Sequence, residues 1–128
     1  MSRERTALLT LRVAVATILV IHGSYRALHA GYVAGFGEFL TSTGVPLGGS
    51  IAVAITAGEI VGGLALAAGR LVVPLALLFA AELAVGIVMV HAPEGWFVVG
   101  GGRNGMEYSV LLIVVLLAVA WGNAGRPE

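Results

Sequence analysis

The chain has 128 residues, of which 59% are hydrophobic and 11% charged, with a mean hydropathy of +1.00; a water-soluble domain carries roughly 25% charged residues. Seven basic residues balance seven acids for a formal net charge of +0, and no basic cluster is present to neutralise a run of phosphates, which argues against nucleic acid as a partner. There is no cysteine, so the chain has no disulfide, CxxC pair or thiolate metal ligand, and any redox role falls to another group or a bound cofactor.

The first apolar run, "TALLTLRVAVATILVIHGSYRALH" over 6–29, is interrupted only by Arg12 near its start. Arg3 and Arg5 resemble the basic head of a signal peptide, but no small-residue cleavage site follows and further apolar spans come after it. The expectation is a retained membrane-spanning helix. The linker "AGYVAGFGEFLTSTGVPLGG" is punctuated by glycine and Pro46, with a short interfacial helix expected over about 35–42, around Phe36, Glu38, Phe39 and Leu40. A second span is expected over 50–68 and a third over 71–90, with only Gly69 and Arg70 as a tight hairpin between them. Pro74 falls in an early turn, where proline forfeits little hydrogen bonding. A second glycine-rich loop, "HAPEGWFVVGGGRNGM", carries Trp96 and Phe97 as interface anchors and leads to a fourth, slightly short span over 106–122. Twenty helical residues rise about 30 Å, the thickness of a hydrocarbon core. The whole chain, 1–128, therefore reads as one transmembrane domain: all-α, an integral membrane four-helix up-down-up-down bundle with glycine-rich extracytoplasmic loops.

Basic residues near the helix ends orient the bundle. Arg3, Arg5, Arg12, Arg70 and Arg126 fall on one side, Arg26 and Arg103 on the other. The positive-inside rule places both termini and the tight hairpin in the cytoplasm of a bacterial cell whose inner membrane holds the protein, with the glycine-rich loops outside.

Intramembrane acids are the candidates for function. Glu59 lies near the middle of the second span, with Gly62 and Gly63 on its face, and Glu82 lies within the third, with Gly86 four residues on. An ionised carboxylate facing lipid is costly, so both acids should face the interior, be paired or carry a proton. His22, Arg26 and His29 share one face of the first span; His91 ends the third, and Glu107 and Tyr108 open the fourth. The candidate polar pocket is thus His22, Arg26, Glu59, Glu82, His91, Arg103 and Glu107, with Tyr25, Phe36, Phe39 and Tyr108 as lining or lid. Blander roles stand beside these: helix-to-helix hydrogen bonds for the acids, a backbone carbonyl or water for His22, and snorkelling to headgroups for Arg26, whose sharper alternative is an ion pair with Glu107 or Glu38. His29 and Glu94 read as loop residues, and Trp96 and Trp121 as belt residues.

Known catalytic motifs do not fit. "GGGRNG" over 100–105 lacks the strand, lysine and hydroxyl of a phosphate loop. No HExxH, GxSxG or Glu-x-x-His pair is present, so no metal site is expected.

The elements "LRVAVATILVIHG", "GVP", "AGEIVGGLALAAGR", "AAELAVGIVMVH" and "NGMEYSVLL" resemble, in order and spacing, the DoxX family of small four-helix membrane proteins. The positions matching family landmarks are Glu59, Arg70, His91 and Glu107, with His22 less closely matched. The resemblance implies a membrane subunit related to those of thiosulfate:quinone oxidoreductase, or of a membrane oxidoreductase complex serving oxidative-stress and thiol homeostasis. Quinone is the cofactor this suggests, and membrane lipids with a soluble or membrane oxidoreductase are the partners, in a homo-oligomer or hetero-complex. No matching position identifies a catalytic nucleophile or cofactor ligand. Three readings follow: a subunit of a quinone-linked oxidoreductase, a non-catalytic anchor or assembly protein, and a small-solute or proton-coupled transport component.

Overall fold

The computed structural model describes residues 1–127. Its architecture is all-α, with five helices in chain order: α1 (Arg3–Leu28), α2 (Tyr32–Ser42), α3 (Gly48–Ala67), α4 (Val72–Gly86) and α5 (Glu107–Asn123). A π-helical turn, Ile87–His91, and a 3-10 turn, Ala92–Glu94, continue α4 outward. Arg3–Leu28, Gly48–Ala67 and Val72–Glu94 are each long and apolar enough to cross a membrane, and α5 is a shorter apolar helix.

Local chemistry sets where the helices start and stop. Ser2 accepts a hydrogen bond from the Arg5 backbone N–H at 3.2 Å and caps α1, satisfying one of the amides that a helix start leaves unpaired. The α2 and α3 C-termini end alike. Gly44 (φ +91°) and Gly69 (φ +81°) take the left-handed conformation, and the next residue's N–H bonds back across the turn, Val45 to Leu40 O at 3.0 Å and Arg70 to Ala65 O at 2.9 Å. This glycine-terminated cap satisfies the orphan carbonyls and reverses the chain within a few residues. Two non-glycine residues, Leu47 and Leu71, also sit at positive φ, each immediately before a helix.

α1 packs chiefly on α3, α4 on α5, and α2 lies across α3. The core is formed by Val15, Ala16 and Leu19 of α1, Leu66 of α3, Ala76 and Phe79 of α4, and Leu112, Leu116 and Val119 of α5. Most other large apolar side chains point outward, as they must where the surrounding solvent is hydrocarbon rather than water. Glycine brings α1 and α3 together. A Cβ at Gly23 would lie 2.9 Å from Glu59 Cβ and 3.0 Å from the Thr56 carbonyl oxygen, and one at Gly63 would lie 2.6 Å from a Val20 methyl. Gly37 and Gly49 do the same for α2 and α3: a Cβ at Gly37 would come within 2.8 Å of Gly49 Cα.

Gly23→Ala is therefore expected to force α1 away from α3, because the obstructing atoms are backbone or the root of a side chain. A destabilisation of about 1–3 kcal/mol follows from overpacking of this kind. Unfolding of the detergent-solubilised protein by increasing SDS would measure it; an unchanged midpoint would mean that this helix pair does not limit stability.

Candidate functional site

A cavity of about 830 Å³ opens near the C-terminal end of α1, between α1, α2, α3, α4 and the start of α5. Its walls are largely apolar, with Phe36, Phe39 and Leu40 of α2 on one side and Phe79, Leu83 and Met89 from the α4 segment on another. α3 and α4, although joined by a tight turn, touch only sparsely. Between them the rim is made by Val61, Leu78 and Val85, all exposed on the outer surface. The cavity therefore opens sideways, toward where lipid chains lie. Gly62 against the Phe79 ring is the close approach of the two helices on its deep side, where a Cβ would be 2.9 Å from the ring tip.

The polar floor is an arginine between two helices of acids. From the last turn of α1, Arg26 extends inward so that Nη1 donates to Glu59 Oε2 at 3.3 Å and to Thr56 Oγ1 at 3.2 Å, while Nη2 reaches Glu59 Oε1 at 3.5 Å. The two side chains are 19% and 7% exposed, so the pair is largely desolvated. Phe36 covers the guanidinium, with its ring centroid 4.8 Å from Cζ, a cation–π contact that gains strength away from water. Thr56 donates in turn to Ala52 O at 2.7 Å and so presents a lone pair to Arg26. Glu82, half-buried on α4, lines the same cavity as Glu59. One guanidinium balances one carboxylate, and the second acid leaves the cluster able to hold a proton or a donor ligand.

His22, one turn before Arg26 on α1, and His91 also line the cavity, with Tyr108 and Ser109 from α5. His91 is delivered by the π-helical turn, a local widening of the helix that is common at functional sites. Its Nδ1 lies 2.9 Å from the Asn104 carbonyl oxygen. A carbonyl only accepts, so Nδ1 carries the proton, and in the neutral ring Nε2 is an acceptor.

Of the residues singled out in the sequence, His22, Arg26, Glu59, Glu82 and His91 converge on the cavity, as do Phe36, Phe39 and Tyr108. Three lie elsewhere. Glu107 accepts hydrogen bonds from the backbone amides of Val98 and Val99, at 2.9 and 2.8 Å, and so pins the outer loop instead of lining the cavity. Arg103 pairs with Glu94 at 3.3 Å on the exposed surface. Tyr25 stacks on His29, ring centroids 3.8 Å apart, and turns away from the cavity. Arg26 takes neither Glu107 nor Glu38 as its partner, and does not snorkel outward. Close α1–α3 packing at Gly23 puts Glu59 within its reach, and Glu107 is occupied by two amides. Thr56, one turn before Glu59 on the same face, was the residue that sequence reasoning passed over; its i, i+3 spacing from the acid was the available signal. Among the described residues, no group of three His, Cys, Asp or Glu is placed to hold a metal ion.

Residues 7–92 match the DoxX family model. The chain belongs to the DoxX family. The match takes in α1 to α4 and ends at Ala92, immediately after the π-helical turn, so every cavity residue but those of the last loop and α5 lies within it. No curated protein and no solved structure matches the chain.

The Arg26–Glu59 pair should behave as a unit. Glu59→Gln leaves a largely buried guanidinium without its counter-charge and is expected to cost about 3 kcal/mol, whereas Arg26→Leu combined with Glu59→Leu should cost clearly less than the two single losses added together. A double-mutant cycle on SDS unfolding reads this coupling; additive losses would show that the pair contributes nothing as a pair. At the outer loop, Glu107→Ala should free the Val98 and Val99 amides and speed their hydrogen exchange by about tenfold or more, while leaving exchange in the middle of α3 unchanged.

Proposed function

We propose that this DoxX-family chain is the membrane subunit of a quinone-linked oxidoreductase, and that the cavity over Arg26, Glu59 and Glu82 is its quinone site. The supporting observation is the combination in one place of an apolar cavity open sideways to the bilayer and a charged, hydrogen-bonding floor. A quinone has a flat apolar ring, two carbonyl oxygens and a hydrocarbon tail. The ring suits the Phe36, Phe39 and Leu40 wall, and the tail suits the gap between α3 and α4. When bound, the quinone supplies the acceptor of two electrons and two protons, the electrons arriving from a partner oxidoreductase. Glu82, the acid outside the ion pair, holds a proton at the cavity surface, donates it to a ligand oxygen, and is reprotonated from water at the cavity mouth to supply the second. Arg26 and Glu59 keep that acid in place and set the local charge. His91 Nε2 accepts a hydrogen bond from a ligand hydroxyl, and α2 acts as a partial lid through Phe36 and Phe39.

In this reading the four long helices form an up-down-up-down bundle in a bacterial inner membrane. Both termini and the α3–α4 turn face the cytoplasm, and the cavity lies toward the outer face. A second reading, a membrane anchor without chemistry, is favoured by one observation: the Arg26–Glu59 pair and the Gly23 contact fasten α1 to α3 and would serve packing alone.

Solvent extraction of the gently purified protein, with quantitation of released quinones, separates the two. About one quinone per chain is expected, with Glu82→Leu weakening binding of added decylubiquinone by about tenfold, the loss of one hydrogen bond at a desolvated site. Wild-type protein that releases no quinone and gains no thermal stability from added decylubiquinone would overturn the redox reading in favour of the anchor.

A further inference from the structure

At the end of the molecule opposite the cavity, a second cleft of about 430 Å³ lies between the start of α1, the α3–α4 turn and the end of α5. Arg5, Leu8, Leu9 and Arg12 line it from α1; their i, i+3, i+4, i+7 spacing makes one continuous stripe of that helix. Arg126 faces them from the other end of the chain. Within the described residues the arginines that form ion pairs are Arg26 and Arg103. The cleft thus gathers three guanidinium groups that no carboxylate of residues 1–127 balances.

Arg12 is fixed in place by the fold. Its Nη2 donates to the Ala67 carbonyl oxygen at 3.4 Å, at the end of α3, where carbonyls are left without helical partners. The guanidinium lies against Gly69, whose ideal Cβ would sit 3.1 Å from that nitrogen. Arg12 Nε is buried and has no hydrogen-bond partner among the described residues, which is a costly state for a charged donor. Leu8, Leu9 and Val73 supply apolar flanks beside these charges.

We propose that this cleft binds the phosphate of an anionic membrane lipid, with Arg5, Arg12 and Arg126 around the headgroup. A guanidinium's planar fork of donors matches phosphate oxygens two at a time. The cleft sits at the ends of membrane-length helices, and basic recesses between transmembrane helices recognise anionic headgroups in general. The apolar flanks distinguish the source: they would contact the glycerol and upper acyl chain of a lipid, and a free phosphate has nothing to place there.

Native mass spectrometry of the full chain from detergent, with phosphatidylglycerol or phosphatidylcholine of identical acyl chains added, tests this. One phosphatidylglycerol per chain should remain bound where phosphatidylcholine does not. Arg5 and Arg126 are both exposed, so Arg5→Gln with Arg126→Gln should fold normally and bind phosphatidylglycerol about 20-fold more weakly, roughly fivefold for each charge removed near the membrane surface. Arg12→Lys, which keeps the charge and loses the fork, should weaken it by a smaller factor. Equal retention of the two lipids, or undiminished phosphatidylglycerol binding by the double variant, would overturn the proposal. Displacement of phosphatidylglycerol by inorganic phosphate at equal concentration would overturn it too, reassigning the site to a soluble anion. None of these readouts depends on whether a quinone binds at the other end.

Discussion

Arg26 and Glu59 face each other inside a bundle whose outer surface is almost wholly hydrocarbon, and much of the surrounding packing follows from what it takes to keep them there. A carboxylate on α3 cannot point at lipid without a large cost, so α3 must present that face to another helix. The arginine that meets it belongs to α1, and its side chain spans the gap only because Gly23 lets the two backbones close to contact distance at the level of Thr56 and Glu59. Phe36 then covers the guanidinium from α2. The short helix is drawn onto α3 at the same time, through the Gly37–Gly49 contact. One ion pair thus relates three helices.

The second acid changes what the pair is for. An arginine with one carboxylate is a neutral, closed unit, and a packing role would need nothing more. Glu82 approaches from α4 on the cavity side and leaves the cluster with one acid more than its bases. Moving outward from the Gly62–Phe79 contact, α3 and α4 separate, the acids come next, and the space beyond them is the cavity. The second acid is therefore at the boundary between the packed core and the cavity.

How much of this was legible in the sequence differs from feature to feature for physical reasons. The all-α, membrane-helical class could be read directly, because apolar runs of about 20 residues have few soluble explanations. Turns that depend on a single residue were also readable: Gly44 and Gly69 each end a helix in the left-handed conformation. The π-helical turn at Ile87–His91 was not, since its apolar residues would suit an α-helix equally well. Nor was the partner of Arg26. Glu38 and Glu107 were the partners the sequence offered, and the choice of Glu59 rests on which helices are neighbours and how closely they pack, information that a linear pattern of charges does not contain. Glu107 looked like a pocket residue for its charge and position, yet two backbone amides claim its carboxylate. An acid at a helix start next to a glycine-rich loop is as well suited to pinning that loop as to binding a ligand.

The two ends of the bundle are chemically opposite, and the difference bears on how a lipid-soluble ligand would meet the site. Arg5, Arg12 and Arg126, which no carboxylate among the described residues balances, gather around the α3–α4 turn, whereas Glu59 and Glu82 lie on the far side of the Gly62–Phe79 contact, with the cavity beyond them. The cleft and the cavity share no lining residue, and that contact lies between them where α3 and α4 come closest. On the side facing away from the core, the cavity reaches the surface through the gap bounded by Val61, Leu78 and Val85. That gap follows from α3 and α4 being joined tightly at one end and touching only sparsely beyond it, so the same pair of helices closes the bundle at the turn and opens it at the cavity.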